Sequence, residues 1–231
     1  ENSKIMGEFA ESLLGIKEAC EFLDYPVVSG NVSLYNGTNK KNIYPTPVIG
    51  GIGLITNIKN RINHNLKKED NIILQIGKSF GHLSQSIFFD EIYSIKDGPP
   101  PEINLSNEKN NGLAILKLIN NKLALSVHDV SSGGLIIALA EMTFNSSNGL
   151  KLNKPKNLSN LMEYFFSEDQ GRYLIEVEPD NLKKVSKILE ESNIFNEIVG
   201  IVQQDYFEVP GEIKISINDL YKANNSWYNN Y

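Results

Sequence analysis

The sequence predicts a mixed α/β (α+β) protein, on three observations. Residues 123–144 contain an apolar strand pattern, a turn and a helical pattern in direct succession. Residues 71–76 and 173–177 are short, predominantly apolar runs of the length expected for buried strands. Near the start, apolar residues recur at alternating spacings of three and four positions, which is one face of an amphipathic helix.

Composition excludes several classes of protein. The 231 residues are 41 % hydrophobic, which is enough to build a core, and their net charge of -6 gives no basic footprint for nucleic acid. No apolar run approaches the roughly 18 residues of a membrane span. Because the single cysteine, Cys20, and the three histidines are dispersed along the sequence, no zinc site is predicted. We expect a cytoplasmic protein and, since the chain opens at Glu1 on a helical pattern, part of a longer one.

The first quarter of the chain predicts one helix and two strands. The helical pattern runs from Met6 to Leu23 and is ended by Pro26. Residues 27–35 are predicted to form a strand, residues 36–42 a polar turn, and the glycine-rich apolar residues 47–56 a buried strand. The polar residues that follow predict a domain boundary near Asn65.

The rest of the chain alternates between strand and helix patterns. Strands are predicted at residues 71–76, 123–127, 173–177, 198–202 and 213–217. Helices are predicted at residues 83–92, 112–120 and 132–144. Two more are predicted, one that follows an N-cap at Asp180 and a short one that begins near Asp219. Residues 97–101 form a stiff, proline-rich loop, and the residues between 144 and 173 have little regularity.

The most informative segment is Ser29-Gly30-Asn31-Val32-Ser33. In a strand, Asn31 and Ser33 point to one face and Val32 to the other. Gly30 lets a phosphate approach its backbone, an oxygen of Asn31 suits magnesium, and the Ser33 hydroxyl suits a phosphate or a substrate oxygen. The alternative is a solvated strand edge, because polar faces are common on antiparallel sheets.

A second segment, residues 127–134, lies between a predicted strand and a predicted helix. Backbone N–H groups and the helix dipole favour anions at such a junction. His128 is then a candidate phosphate contact and Asp129 a candidate cation ligand or helix cap. The alternative is simple capping by Asp129 or the serines that follow, with the two glycines allowing close packing.

A third segment pairs Glu168 with Asp169 just before a predicted strand. Two adjacent carboxylates are able to bind a metal ion. The alternative is a solvated acidic loop.

Together these segments resemble the phosphoribosylformylglycinamidine synthase family. The resemblance is carried by residues 26–36 and 45–55, by His128 to Leu135 with Ala140-Glu141-Met142 (the family's HDxSxGGL…AEM stretch), and by the EDQGR stretch at residues 168–172. Their order and spacing agree over the whole chain, in the pattern of the synthetase subunit of the multi-subunit type.

The resemblance implies an aminoimidazole ribonucleotide synthetase-like fold. Residues 1–65 are expected to be the remainder of a second N-type, ATP-binding domain, and residues 66–231 a second C-type domain. It further implies that Gly30 contacts ATP, Asn31 helps bind magnesium and Ser33 binds substrate, with no catalytic residue in this segment. An auxiliary nucleotide site is expected at His128, Asp129, Glu168 and Asp169.

The implied activity is an ATP-dependent carbon–nitrogen ligase of purine biosynthesis. It would use ATP and magnesium to convert formylglycinamide ribonucleotide and glutamine-derived ammonia to formylglycinamidine ribonucleotide. The implied partners are a glutaminase subunit and a small bridging subunit, without nucleic acid or membrane, and the segment alone is expected to be inactive. Two alternatives stay open: another synthetase of the same superfamily, or a non-catalytic scaffold that docks partner subunits.

Overall fold

A computed structural model describes residues 2–34, 37–39, 41–155 and 160–228. The chain divides into two compact units, Glu1–Thr56 and Asn57–Tyr231. The second unit begins before the predicted boundary near Asn65, because the intervening residues pack with it: the carbonyl of Asn63 accepts a bond from the Val127 N–H at 3.1 Å. Whether the two units are the remainder of an N-type domain and a whole C-type domain remains a prediction.

The first unit opens with the predicted helix, α1 (Ser3–Leu23). The Asn2 side chain caps its start by accepting a bond from the Lys4 N–H at 3.0 Å. The helix ends because Asp24 adopts a left-handed conformation, with φ of 56°, two residues before Pro26.

The strands predicted at residues 27–35 and 47–56 are wrong for the residues described there, which contain no strand. The strands of this unit are the short antiparallel pair β1 (Gly37–Thr38) and β2 (Lys41–Asn42), within the predicted polar turn. Tyr35, Asn36 and Lys40 lie outside the described residues. A strand requires a neighbour to satisfy its backbone groups, and no described residue of this unit pairs with either predicted strand.

The first unit holds no buried residue among those described. Apolar side chains of both predicted strands face water, including Val28 at 86 %, Val48 at 91 % and Leu54 at 90 % exposure. The Tyr25 hydroxyl joins the residues just after α1 to the second of these segments, since it accepts a bond from the Ile52 N–H at 2.7 Å and donates to the Ile52 carbonyl at 3.1 Å.

The second unit is built on a seven-stranded mixed sheet. Its strands, in chain order, are β3 (Ile72–Ile76), β4 (Ser126–Val130), β5 (Asn148–Leu152), β6 (Arg172–Val177), β7 (Asn196–Gln204), β8 (Tyr206–Val209) and β9 (Ile213–Ser216). Their spatial order is β4-β6-β3-β7-β5-β8-β9, and every neighbouring pair is antiparallel except β5 with β8. The sequence missed β5 and β8, and it placed β4 three positions too early.

The helices of this unit are α2 (Ile87–Tyr93), α3 (Leu105–Asn120), α4 (Gly134–Glu141), α5 (Leu161–Phe166), α6 (Leu182–Glu191) and α7 (Ile217–Asn225). The sequence missed α5 and began α3 too late. It also assigned the cap of α6 to Asp180, which lies in a short 3₁₀ turn, whereas Asn181 is the N-cap. No helix in the described part of the chain is long and apolar enough to cross a bilayer.

Helices cover both faces of this sheet, and the strand period of two divides the core accordingly. Ile73 and Leu174 point to one face and pack with Leu139 of α4 in one cluster. Leu74 and Ile175 point to the other face, into a cluster with residues of α3 and α6. This arrangement confirms the predicted mixed α/β class.

Candidate functional site

The first predicted site, Gly30, Asn31 and Ser33, lies in the extended segment after α1, and all three residues are exposed. Gly30 is not in the left-handed region, and no described neighbour lies within 4 Å of where its Cβ would be. Neither backbone conformation nor packing therefore requires glycine there. Space for the close approach of a ligand is available at this position.

The second predicted site is a cluster of titratable groups at the end of β4. His128 and Asp129 belong to the strand itself, which corrects their predicted place in the turn. The Nε2 atom of His128 lies 3.0 Å from Oε2 of Glu141, and its Nδ1 atom lies 3.3 Å from Oδ1 of Asp129. The ring centroids of His64 and His128 are 4.9 Å apart. Burial lowers the pKa of His64, and the nearby charge of His128 lowers it further.

The two carboxylates of the third segment are engaged by backbone N–H groups. One oxygen of Glu168 accepts bonds from the N–H of Gly133 at 2.8 Å and of Ile87 at 2.9 Å. Asp169 is buried and accepts from Phe80 at 2.8 Å and Gly81 at 3.0 Å. These carboxylates accept from backbone N–H groups of the loop after β3, the start of α2 and the turn before α4, which favours a structural role for the acidic pair.

Arg172 completes this anchor, and it is only 1 % exposed. Its guanidinium donates to the carbonyl of Asp169 at 3.0 Å, the hydroxyl of Ser79 at 2.9 Å and the carbonyl of Ser167 at 2.7 Å. Burial lowers the pKa of Arg172, and the charge of Asp169 opposes that effect. The EDQGR stretch thus fastens the loop after β3 to the start of β6.

A cleft of about 420 Å³ opens beside this anchor. Its lining combines the loop after β3, the start of α3 and the acidic stretch: Phe80, Gly81, His82, Glu102, Asn104, Asn107, Glu108, Asp169, Gln170 and Gly171. Burial raises the pKa of Glu108. The lining includes no lysine or arginine, so the cleft offers little electrostatic attraction to phosphate. Among the described residues no group of three His, Cys, Asp or Glu side chains is arranged to hold a metal ion.

The structure brings the second and third predicted segments together, through the bond from Gly133 to Glu168. It also joins two parts of one motif, His128 of HDxSxGGL and Glu141 of AEM. The first predicted site lies in the other unit.

Sequence reasoning missed Glu176, a fully buried carboxylate on β6. It accepts bonds from the N–H groups of Lys67 and Lys68, from the Asn71 amide at 2.7 Å and from the Ser126 hydroxyl at 3.0 Å. The available signal was an acidic residue within an otherwise apolar strand run, which predicts a set of buried donors around it.

Sequence reasoning also missed a carboxyl–phenol contact between β7 and α5. The Tyr164 hydroxyl donates to Glu197 Oε1 at 3.3 Å. Burial raises the pKa of the Glu197 carboxyl, and the bond from Tyr164 partly offsets this. Folding therefore raises the pKa at which the Glu197 carboxyl loses its proton.

This shift predicts a pH-dependent stability. The contribution of protonated Glu197 is fully present below its ordinary pKa of 4.5 and is lost as pH rises through the raised value of the folded state. Because glutamine imitates the protonated form, Glu197→Gln should match the parent chain near pH 4 and exceed it near pH 7, by under about 1 kcal/mol for a half-buried group. Urea unfolding of both chains at several pH values measures the difference, and a difference that does not change with pH would contradict the assignment.

Comparison with known families places residues 68–210 in the family model described as AIR synthase related protein, C-terminal domain. The chain is 50 % identical over 231 residues to the phosphoribosylformylglycinamidine synthase subunit PurL of Pelagibacter ubique, covering 100 % of this chain and 32 % of that protein. It is 39 % identical over 228 residues to PurL of Bartonella bacilliformis, covering 99 % of this chain and 31 % of that protein. The chain thus spans about a third of the length of these curated relatives.

Solved structures show the same fold. PurL of Thermotoga maritima complexed with FGAR superposes with a TM-score of 0.59 over 71 % of this chain and 30 % of that one, at 15 % identity. The complex of the same protein with ATP gives a TM-score of 0.55, over 71 % of this chain and 28 % of that one, also at 15 % identity. At this identity the likeness concerns architecture alone. Together with the family model it confirms the predicted aminoimidazole ribonucleotide synthetase-like fold.

Proposed function

The chain belongs to the AIR synthase related family through its C-terminal domain, and from that membership we propose that it is a segment of an ATP-dependent phosphoribosylformylglycinamidine synthase. The observation that carries the proposal is a match at 50 % identity that covers all 231 residues of this chain and 32 % of a subunit of that name. Fold alone would not distinguish the members of a superfamily. Sequence identity of 50 % across the whole chain supports this specific ligase over a related synthetase of the same superfamily.

The proposed reaction joins ammonia to formylglycinamide ribonucleotide at the expense of ATP. The γ-phosphoryl group is transferred to the formamide oxygen, ADP leaves, and ammonia then displaces phosphate from the activated carbon to give the amidine. Positioning and charge stabilisation provide most of the catalysis in phosphoryl transfer. We assign no acid–base or nucleophilic residue to this segment, and we expect the 231-residue chain to be inactive alone.

Within this reaction we assign contacts with ATP and with the substrate to two residues of the first unit. Gly30 would offer its backbone to ATP, and Ser33 would donate its hydroxyl to the substrate. The exposure of both residues and the open space at Gly30 support these roles.

This chain can provide only part of the ligand set of a magnesium ion. Asn31 is exposed and offers one hard oxygen, and the described residues contain no acidic cluster that would complete a site. We therefore propose that Asn31 adds one oxygen ligand to an ion held mainly by ATP and by other parts of a longer protein. When bound, the ion would screen the negative charge of the phosphates.

We further propose that the first unit is the remainder of an N-type domain. Its exposed valines, isoleucines and leucines are too many for a solvated surface, and a packed neighbour that pairs with residues 27–34 and 47–55 would cover them. In the longer protein these residues would then form the strands that their sequence predicts. Under this proposal the first unit needs protein outside this chain to cover its apolar side chains. The second unit has its own hydrophobic core and would be a C-type domain.

A scaffold role for the second unit is favoured by one observation. The acidic residues expected at an auxiliary nucleotide site, Glu168 and Asp169, accept bonds from backbone N–H groups of the protein. A Thermotoga maritima structure is that of PurLQS. By analogy we propose a glutaminase subunit and a small bridging subunit as partners, in the cytoplasm, with the second unit supporting the complex without chemistry of its own.

The assignment predicts two separable kinetic defects in the longer protein. Ser33→Ala should lower kcat/KM for formylglycinamide ribonucleotide by roughly 10- to 100-fold, through loss of one substrate hydrogen bond. Asn31→Ala should raise the magnesium concentration needed for half-maximal rate by roughly tenfold, through loss of one ligand. Steady-state ADP formation with varied substrate and magnesium measures both effects.

Thr46→Ala is the matched control, because this exposed hydroxyl of the same unit bonds locally, to the carbonyl of Tyr44 at 2.8 Å. It should leave both parameters unchanged. Parent-like kinetics in the Ser33 and Asn31 variants alike would overturn the assignment of this segment to the ATP site.

A further inference from the structure

The turn before α4 donates a hydrogen bond to a carboxylate of the protein itself, the side chain of Glu168. Gly133 is the N-cap of α4, adopts φ of 82° and has no side chain to cap the helix. Its N–H donates to Glu168 Oε1 at 2.8 Å. Glu168, 35 positions along the chain, therefore accepts from the N–H of the N-cap residue, as the N3 glutamate of a capping box does in other helices.

The same carboxylate oxygen accepts a second bond, from the Ile87 N–H at 2.9 Å. Two N–H groups from segments far apart in sequence thus converge on one oxygen. Such convergence is the geometry of a small-anion site, since charge-assisted bonds to backbone N–H groups are shorter and stronger than neutral ones.

Neighbouring contacts fix Glu168 in this position. Its own N–H donates to the His82 carbonyl at 3.2 Å, and the next residue, Asp169, is held by the N–H groups of Phe80 and Gly81. On the other side, the start of α4 packs so closely that a Cβ on Gly134 would lie 2.6 Å from the Ser167 carbonyl oxygen. Both the carboxylate and its donors are therefore preorganised.

We propose that the N–H groups of Gly133 and Ile87 form a small-anion site that the Glu168 carboxylate occupies as an internal ligand. The occupied site excludes phosphate groups from the turn before α4. It also links three segments, the start of α2, the turn before α4 and the loop before β6. A small monocarboxylate is the class of ligand that replaces the side chain when it is removed.

The test is chemical rescue in the 231-residue chain. Glu168→Ala should lower the Tm of the main unfolding transition by roughly 5 to 10 °C, through loss of two charge-assisted bonds. Sodium acetate at about 0.1 M should then raise the Tm of this variant by several degrees more than sodium chloride at equal ionic strength. In the parent chain Glu168 already occupies the site. Its Tm should therefore differ between the two salts only by the small general effect of acetate on protein stability.

Glu168→Gln is the matched control, because its amide oxygen still accepts bonds while the charge is lost. It should show a smaller fall in Tm and no specific response to acetate. A Glu168→Ala chain that folds and shows no acetate-specific gain would overturn the proposal.

Amide hydrogen exchange provides a readout that survives if the alanine variant fails to fold. In Glu168→Gln the amides of Gly133 and Ile87 should exchange roughly tenfold faster than in the parent, because a neutral acceptor binds them less tightly. Unchanged exchange at both amides would contradict the internal ligand. Titration of the parent with inorganic phosphate should leave both amide signals in place, and a saturable shift at Gly133 would contradict the exclusion of phosphate. Neither readout depends on enzyme activity, so failure here leaves the proposed function untouched.

Discussion

Glu176→Ala is expected to lower the free energy of unfolding by about 3–5 kcal/mol, because several donors lose the acceptor that they share. Glu176 is completely buried on β6, and its two oxygens accept from both N–H groups of the 67–68 segment. The Asn71 amide and the Ser126 hydroxyl also donate to it. Without the carboxylate these donors lose a common acceptor inside the protein.

Urea unfolding of the 231-residue chain measures the effect. Glu176→Gln should recover less than half of the loss, because its NH₂ group would face N–H donors. Glu190→Ala is the control, an exposed glutamate on α6 whose removal should change stability by under about 0.5 kcal/mol. A loss of about 1 kcal/mol or less in Glu176→Ala would show that the carboxylate does not organise this region.

Arg172→Met is expected to have the second large effect, also about 3–5 kcal/mol. Methionine fills most of the volume of the side chain but provides no donor. The carbonyls of Ser167 and Asp169 would each lose a bond, as would the hydroxyl of Ser79. Arg172→Lys should recover only part of the loss, because one ammonium group does not reproduce a planar fork of donors.

The chain contains one other arginine, Arg61, and it is exposed. Arg61→Met is therefore a matched control and should leave the urea midpoint nearly unchanged. Equal effects of the two substitutions would contradict the role of Arg172 as the anchor of the loop after β3.

The core of the second unit was predictable from local sequence, and its less regular parts were not. The run at residues 72–76 is apolar except for Gln75, as expected for a strand covered on both faces, and it forms β3 in the interior of the sheet. β5 has the sequence Asn-Gly-Leu-Lys-Leu, whose short alternation is weak beside its polar neighbours. It forms because β7 and β8 pair with it on either side.

The opposite error occurred in the first unit. Residues 27–35 and 47–56 have strand-like sequences, yet none of the described residues in these ranges pairs with a neighbour. Propensity for strand measures the fit to a half-buried pleated surface, and so it has no effect where no such surface is present. The sequence thus predicted that these residues prefer the strand conformation, whereas the presence of a neighbouring strand determines whether they adopt it.

For the candidate site, the sequence identified the motifs but not their contacts. Glu168 and Asp169 were recognisable as an acidic pair, but their donors lie 35, 81 and 89 positions away, at Gly133, Ile87 and Phe80. No local pattern encodes such pairings, because they depend on how the strands are ordered. The contact between His128 and Glu141 spans 13 positions, and it required the correct register of β4 and α4.

The central claim, that this chain is a working segment of a phosphoribosylformylglycinamidine synthase, is tested most directly by grafting. The 231-residue chain would replace the matching third of Pelagibacter ubique PurL, to which it is 50 % identical. ADP formation dependent on both ammonia and formylglycinamide ribonucleotide would then be measured. We predict a kcat/KM within roughly tenfold of the parent enzyme, and a chimera that folds yet forms no substrate-dependent ADP would contradict the claim.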